Sequence, residues 1–152
     1  MTPERRLRVG VYLLFAGGVL ALISAALPPL LAGGSPSRAN VLAIYALLGG
    51  LSLVAAGFVS LRVPQPVLTV VLSVLGLLLV TWAAMGAFVA PNFARFYTGY
   101  AGVAGCTGCA PSFTRPELTG YAALGWTALV AAVVAVAGFW VFYRARRRLG
   151  GK

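Results

Sequence analysis

The chain has 152 residues, of which 61% are hydrophobic and only 9% charged, with a mean hydropathy of +0.94. A soluble domain carries roughly 25% charged residues, and at this length too much of its surface would face water for so few charges to solvate it, so lipid must be the solvent. The net charge of +10, from 12 Lys and Arg against Glu4 and Glu117, sits at the ends of apolar runs, which points to membrane orientation and away from nucleic acid.

The first apolar run covers about residues 9–32, closes on Pro28-Pro29 and Gly33-Gly34, and has no charge between Arg8 and Arg38. Arg5, Arg6 and Arg8 ahead of it would suit the leader of a signal peptide. A signal core, however, is only about 7–15 residues long, so this run is read as a retained span. The second run covers about 41–61, between Asn40 and Arg62-Val63-Pro64-Gln65-Pro66. The third covers about 67–90 and is expected to stop at Pro91-Asn92. The fourth covers about 119–143 and stops at Arg144-Ala145-Arg146-Arg147-Arg148. Each exceeds the ~20 residues that cross ~30 Å of hydrocarbon. In lipid only a helix pairs its own backbone polar groups within such a segment. The predicted fold is therefore an all-α membrane protein, four transmembrane helices in an up-down bundle, forming a single domain over 1–152.

Orientation follows from the distribution of positive charge. Arg5, Arg6, Arg8, Arg62, Arg144, Arg146, Arg147, Arg148 and Lys152 belong to the termini and the middle loop, whereas the other two loops hold Arg38, Arg95 and Arg115. The excess places both termini in the cytoplasm, with 33–40 and 91–118 facing outward.

Small residues recur along the helices. Gly17, Ala21 and Ala25 share a face of the first, and Ser52, Ala56 and Ser60 a face of the second, with Gly49 and Gly57 nearby. Ala128, Ala131, Ala132, Ala135 and Gly138 form a stripe on the fourth. Such stripes allow close backbone approach. They either build the chain's own bundle or, for the fourth helix above all, dock a neighbouring subunit.

The spans contain no Asp, Glu, Lys, Arg or His, and the whole chain contains no histidine. That removes His-ligated haem, most zinc and copper sites and imidazole acid–base catalysis. Buried ionisable groups mark proton relays and transport sites, so transport is not expected. The polar residues within the spans, Ser24, Tyr45, Ser52, Ser60, Thr69, Ser73 and Thr81, can each bond their own helix. No metal and no cofactor is expected.

The outer loop, 91–118, holds the two distinctive motifs. Phe93, Phe96, Tyr97 and Tyr100 fall at helical spacing, which predicts a short interfacial helix with its rings at the headgroup level, or a lid over a lipid-soluble ligand such as a quinone. Cys106-Thr107-Gly108-Cys109 follows. Covalent haem attachment needs a His after the second Cys, where Ala110 stands. Zinc needs four ligands, and this chain offers two thiols. A disulfide between Cys106 and Cys109 remains, either a structural brace for a glycine-rich turn or a redox dithiol.

Four spans with an outward Cys-x-x-Cys resemble the quinone-linked thiol oxidases of the vitamin K epoxide reductase group. The resemblance covers the span count and Cys106/Cys109, and it implies a membrane thiol–disulfide oxidoreductase acting through those two residues. That group relays electrons through a second cysteine pair in an outer loop. Here the first outer loop, 33–40, has no cysteine.

The function expected from the whole pattern is that of a small structural or accessory subunit of a larger complex in the cell membrane, not an enzyme. It would meet lipid and other membrane subunits, or copies of itself, through the helix stripes and the outer loop. The alternative is the quinone-linked oxidoreductase with Cys106 and Cys109 as its catalytic residues.

Overall fold

A computed structural model describes residues 3–31, 39–62, 65–103 and 114–150, with side chains described over 4–31, 39–62, 65–92 and 114–148. The described chain is helical nearly throughout: α1 (Pro3–Leu31), α2 (Ala39–Arg62), α3 (Pro66–Val103) and α4 (Arg115–Gly150). Four segments are long and apolar enough to cross a membrane: Glu4–Leu31, Ala39–Arg62, Pro66–Asn92 and Arg115–Arg148.

The helices extend past the boundaries that hydropathy alone predicts. α1 begins at Pro3 and takes Arg5, Arg6 and Arg8 into its first turns. α4 begins at Arg115, not Thr119, because Thr114 and Glu117 cap it reciprocally. The Glu117 carboxylate accepts from the Thr114 amide at 3.0 Å, and the Thr114 hydroxyl accepts from the Glu117 amide at 3.4 Å. At its other end α4 continues through the arginine cluster to Gly150. Hydrocarbon thickness limits the apolar stretch but not the helix, whose i to i−4 bonds persist in water.

The larger correction concerns Pro91. α3 does not stop there but runs on to Val103 as one helix of 38 residues, roughly 57 Å at ~1.5 Å per residue. Proline withholds one amide from the ladder and crowds the carbonyl four residues back, which can bend a helix without ending it. The carbonyl left without its helical donor is that of Ala87; one residue on, the Asn92 side-chain amide donates to the Phe88 carbonyl at 2.9 Å. The backbone of 93–103 is thus the continuation of α3, not a separate short helix within a loop from 91 to 118. The side chains of Phe93, Phe96, Tyr97 and Tyr100 lie outside the described residues, as do Cys106 and Cys109.

The helices follow one another around the bundle. α1 and α3 each pack against α2 and α4, and the diagonal pairs scarcely touch. The contacts climb one helix as they descend its neighbour. Along α1 and α4, Gly10 meets Gly138 and Phe142, Gly17 meets Ala131 and Ala135, and Pro28 meets Gly120. Along α1 and α2, Phe15 meets Gly57, and Gly18 meets Gly50 and Val54. Along α2 and α3, Leu42 meets Gly86, and Gly49 meets Gly76 and Val80. Phe88 of α3 meets Gly125 of α4.

Alanine dominates the interior. One cluster is centred on Leu14, Ala21, Leu53, Val80, Ala128, Ala131 and Ala135; a second joins Ala25, Ala39, Ala46, Ala83, Ala87 and Leu124. Large side chains point outward instead: Leu78 and Trp82 are both 64% exposed and Val133 62%, which is the arrangement a lipid solvent permits.

Gly138 measures how close α1 and α4 come. A Cβ there would lie 2.6 Å from the Leu14 nitrogen and 2.9 Å from the Gly10 carbonyl oxygen, both backbone atoms that cannot swing aside. Gly138→Ala should therefore destabilise the bundle by about 1–3 kcal/mol through overpacking. Gly57→Ala is the matched control, since its Cβ would sit 3.4 Å or more from Phe15. It should be neutral or stabilise by up to about 1 kcal/mol through helix propensity. Thermal unfolding of the purified variants in one detergent checks both; equal losses at the two positions would contradict the close seam.

Candidate functional site

A site inside the bundle would need polar groups facing a space, but most of the hydroxyls on the helices bond their own backbone. Ser24 donates to the Ala21 carbonyl at 2.7 Å, Ser52 to Leu48 at 2.9 Å, Ser60 to Ala56 at 2.9 Å and Thr69 to Gln65 at 3.1 Å. Thr127 donates to Ala123 at 2.6 Å. Each is satisfied by its own chain, the local bonding expected of Ser and Thr in helices. The Ser60 and Thr69 hydroxyls also lie 3.1 Å apart, within hydrogen-bond distance, a contact that ties the end of α2 to the start of α3. Ser73 departs from this pattern. It is fully buried, and its Oγ has no partner among the described residues. No cluster of three or more His, Cys, Asp or Glu side chains that could hold a metal occurs among the described residues.

The small residues singled out from the sequence lie on the inner faces. Ala21, Ala25, Ala56, Ala128, Ala132 and Ala135 are buried, and Gly17 is in contact with Ala131 and Ala135. Ser52 and Ser60 are half-buried. Ala131, Ala135 and Gly138 of the α4 stripe thus face α1 within the same chain, and Ala128 and Ala132 are buried in the same core cluster. The partners of these residues, Gly10, Gly18, Gly50 and Gly76, were not singled out from sequence. Their signal is glycine on both sides of a seam, which is visible only once the seams are known.

The outer surface carries the chemistry. At the end of the bundle where α1 starts and α4 finishes, arginines lie over aromatic rings one helical turn earlier. The Arg144 guanidinium carbon is 4.3 Å from the Trp140 ring centroid, Arg147 is 5.6 Å from Tyr143, and Arg146 is 6.0 Å from Phe142. Arg62 repeats the arrangement over Phe58 at 5.2 Å, at the end of α2. Each pair is spaced i, i+4, so the helix itself brings ring and cation together. The alkyl stems cover apolar surface while the charges reach outward.

Between α1 and α4 at this end is a groove of about 430 Å³, lined by Arg6, Val9, Trp140, Val141, Arg144, Ala145 and Arg148. Three of its walls are cationic and the rest apolar. A smaller cleft of about 230 Å³ lies between α3 and α4 toward the other end, beside Phe88, Pro91 and Trp126. There Phe88 and Trp126 meet edge to face, 5.3 Å between centroids, and close the gap over Gly125.

No protein-family model matches the chain, and neither does a curated protein or a solved structure.

The solitary Ser73 hydroxyl provides a direct check on the interior. A buried polar group without a partner costs about 1–3 kcal/mol, whereas an apolar replacement of similar shape costs little. Ser73→Ala should therefore raise stability by about 1 kcal/mol, while Ser24→Ala, which removes a formed bond, should not. Loss of stability in Ser73→Ala would mean that the hydroxyl has a partner in the folded protein.

Proposed function

We propose that this chain is a small structural or accessory subunit of a larger complex in the cell membrane, standing as an up-down bundle with both termini cytoplasmic. The observation that carries the reading is the closed interior. Gly10 against Gly138, Gly18 against Gly50 and Gly49 against Gly76 bring helix backbones together where a conducting or catalytic bundle would keep a polar space. What remains available for action is the outer surface.

The reversing order of the glycine contacts supports the up-down arrangement, and the concentration of arginines at one end supports the cytoplasmic placement of that end. Because the small-residue stripes are occupied within the chain, partner contact falls to an outward face. The row Leu78, Trp82, Met85 and Val89 on α3 is the best placed, at 64%, 64%, 59% and 57% exposure. Trp82 stands about 15 Å from Asn92 and about 24 Å from Pro66 along the helix, deep in the hydrocarbon. An interfacial belt therefore does not account for it. Tryptophan and methionine are both enriched in protein interfaces.

Photo-crosslinking in the native membrane tests this. A benzophenone residue at Trp82 or Met85 should give one discrete heavier adduct, whereas the same group at Val133 on α4 should give lipid adducts only. Lipid adducts alone at Trp82, Met85 and Val133, with a monodisperse monomer in mild detergent, would refute the subunit reading. A reporter fused after Lys152 should be active only in the cytoplasm; activity outside would reverse the orientation.

A further inference from the structure

The groove between α1 and α4 combines three cations with an apolar lining, and the proteins of a cell offer few ligands that match both. Arg6 comes from the first turns of α1, and Arg144 and Arg148 from successive turns near the end of α4. The whole chain has two acidic residues. Glu117 opens α4 at its far end, and Glu4 lies in the first turn of α1, two positions before Arg6; among the described residues neither carboxylate forms an ion pair with Arg6, Arg144 or Arg148. The three guanidinium groups of the groove are thus left without a carboxylate partner among the described residues.

Arg144 is held in place by its ring. It lies 4.3 Å above the centroid of Trp140, which is itself 54% exposed. An indole at this level favours the boundary between headgroups and acyl chains. One and two turns earlier on the same face of α4 are Val136 and Val133, 53% and 62% exposed, an apolar track leading from the groove into the hydrocarbon. A free phosphate would use the cations and leave the track unused. A molecule with an anionic head and acyl tails uses both.

We propose that this groove is a binding site for one anionic phospholipid, its phosphate held by Arg6, Arg144 and Arg148 and its acyl chains lying over Trp140 toward Val136 and Val133. Basic pockets between membrane helices bind anionic headgroups through this combination of charge and interfacial depth. The proposal is independent of which leaflet the site faces and of whether the chain has a protein partner. Its consequence is a lipid bridging the start of α1 and the end of α4, the seam whose backbones lie closest.

The test uses the full chain carrying Trp82→Phe and Trp126→Phe, so that Trp140 is the single emitter, in phosphatidylcholine nanodiscs. Phosphatidylglycerol or phosphatidylcholine brominated on the acyl chains is titrated in as quencher. Each arginine near an anionic surface strengthens attraction by roughly five-fold, so three together can favour the anionic lipid by about a hundred-fold, and half-quenching should need at least about ten-fold less brominated phosphatidylglycerol than phosphatidylcholine. Arg6→Gln/Arg144→Gln/Arg148→Gln should abolish the difference, and excess soluble glycerol phosphate should not compete. The triple Lys variant should keep the preference, which separates loss of charge from loss of fold. Trp82 as single emitter should show no preference, because it is remote from the groove. Equal quenching of Trp140 by the two lipids would overturn the proposal, since it describes ordinary annular contact. Competition by glycerol phosphate would reassign the site to a soluble anion, and a preference surviving in the triple Gln variant would place the lipid elsewhere.

Discussion

In hydrocarbon a helix gains nothing by burying leucine against leucine, because the lipid tails are just as apolar. What holds this chain together is therefore backbone proximity. Where glycine or alanine lines both sides of a seam, the two helices approach until main-chain atoms touch, and many weak dispersion contacts accumulate along the contact line. The α1–α4 seam is the clearest case: a Cβ at Gly10 would lie 2.6 Å from the Phe142 nitrogen, and one at Gly17 would lie 2.9 Å from the Ala135 nitrogen. The rest of the structure follows from that constraint. Small residues dominate the interior, which admits few large side chains besides Leu14, Leu53, Leu124 and Phe142, so most large ones lie on the outside.

This inversion decides where function can reside. Among the described residues main-chain contacts close the seams, and the hydroxyls of Ser24, Ser52, Ser60, Thr69 and Thr127 bond carbonyls of the preceding turn, whereas that of Ser73 has no partner. The outer surface is divided by depth. In the hydrocarbon zone it is mainly aliphatic, with Phe15, Tyr45, Trp82 and Trp126 exposed among leucines and valines, whereas at the basic end guanidinium groups lie over aromatic rings. Stacking Arg144, Arg146 and Arg147 on Trp140, Phe142 and Tyr143 limits where the charges can point, so the end of α4 presents an ordered cationic surface.

Much of this was legible in the sequence, because length and hydropathy act on whole segments. Four runs of apolar residues without a buried charge have only one backbone solution in lipid. Hydropathy is blind to helix that continues into water, which is why α1, α3 and α4 all extend beyond their predicted ends. The start of α4 had a readable signal in Thr114-x-x-Glu117, a reciprocal cap. The continuation of α3 was half legible: the spacing of Phe93, Phe96, Tyr97 and Tyr100 indicated helix, but Pro91 normally argues for a boundary and only the structure joins the two segments into one helix. The groove joins Arg6 to residues more than a hundred positions away, and pairing of that kind depends on which helices become neighbours. The i, i+4 pairs of ring and arginine on α4, by contrast, can be counted directly from the sequence.

The central claim is that the glycine and alanine face of α4 is sealed against α1 while its valine and tryptophan face meets lipid. A nitroxide scan along α4 measures this, using the full chain with Cys106→Ser and Cys109→Ser in a bilayer and comparing relaxation by oxygen with relaxation by a water-soluble nickel chelate. Oxygen accessibility should rise at Val130, Val133 and Val136, fall at Ala128, Ala131 and Ala135, and repeat at about 3.6 residues per turn. Equal oxygen accessibility at the alanines and the valines would show a helix surrounded by lipid, and the account of the bundle would be wrong.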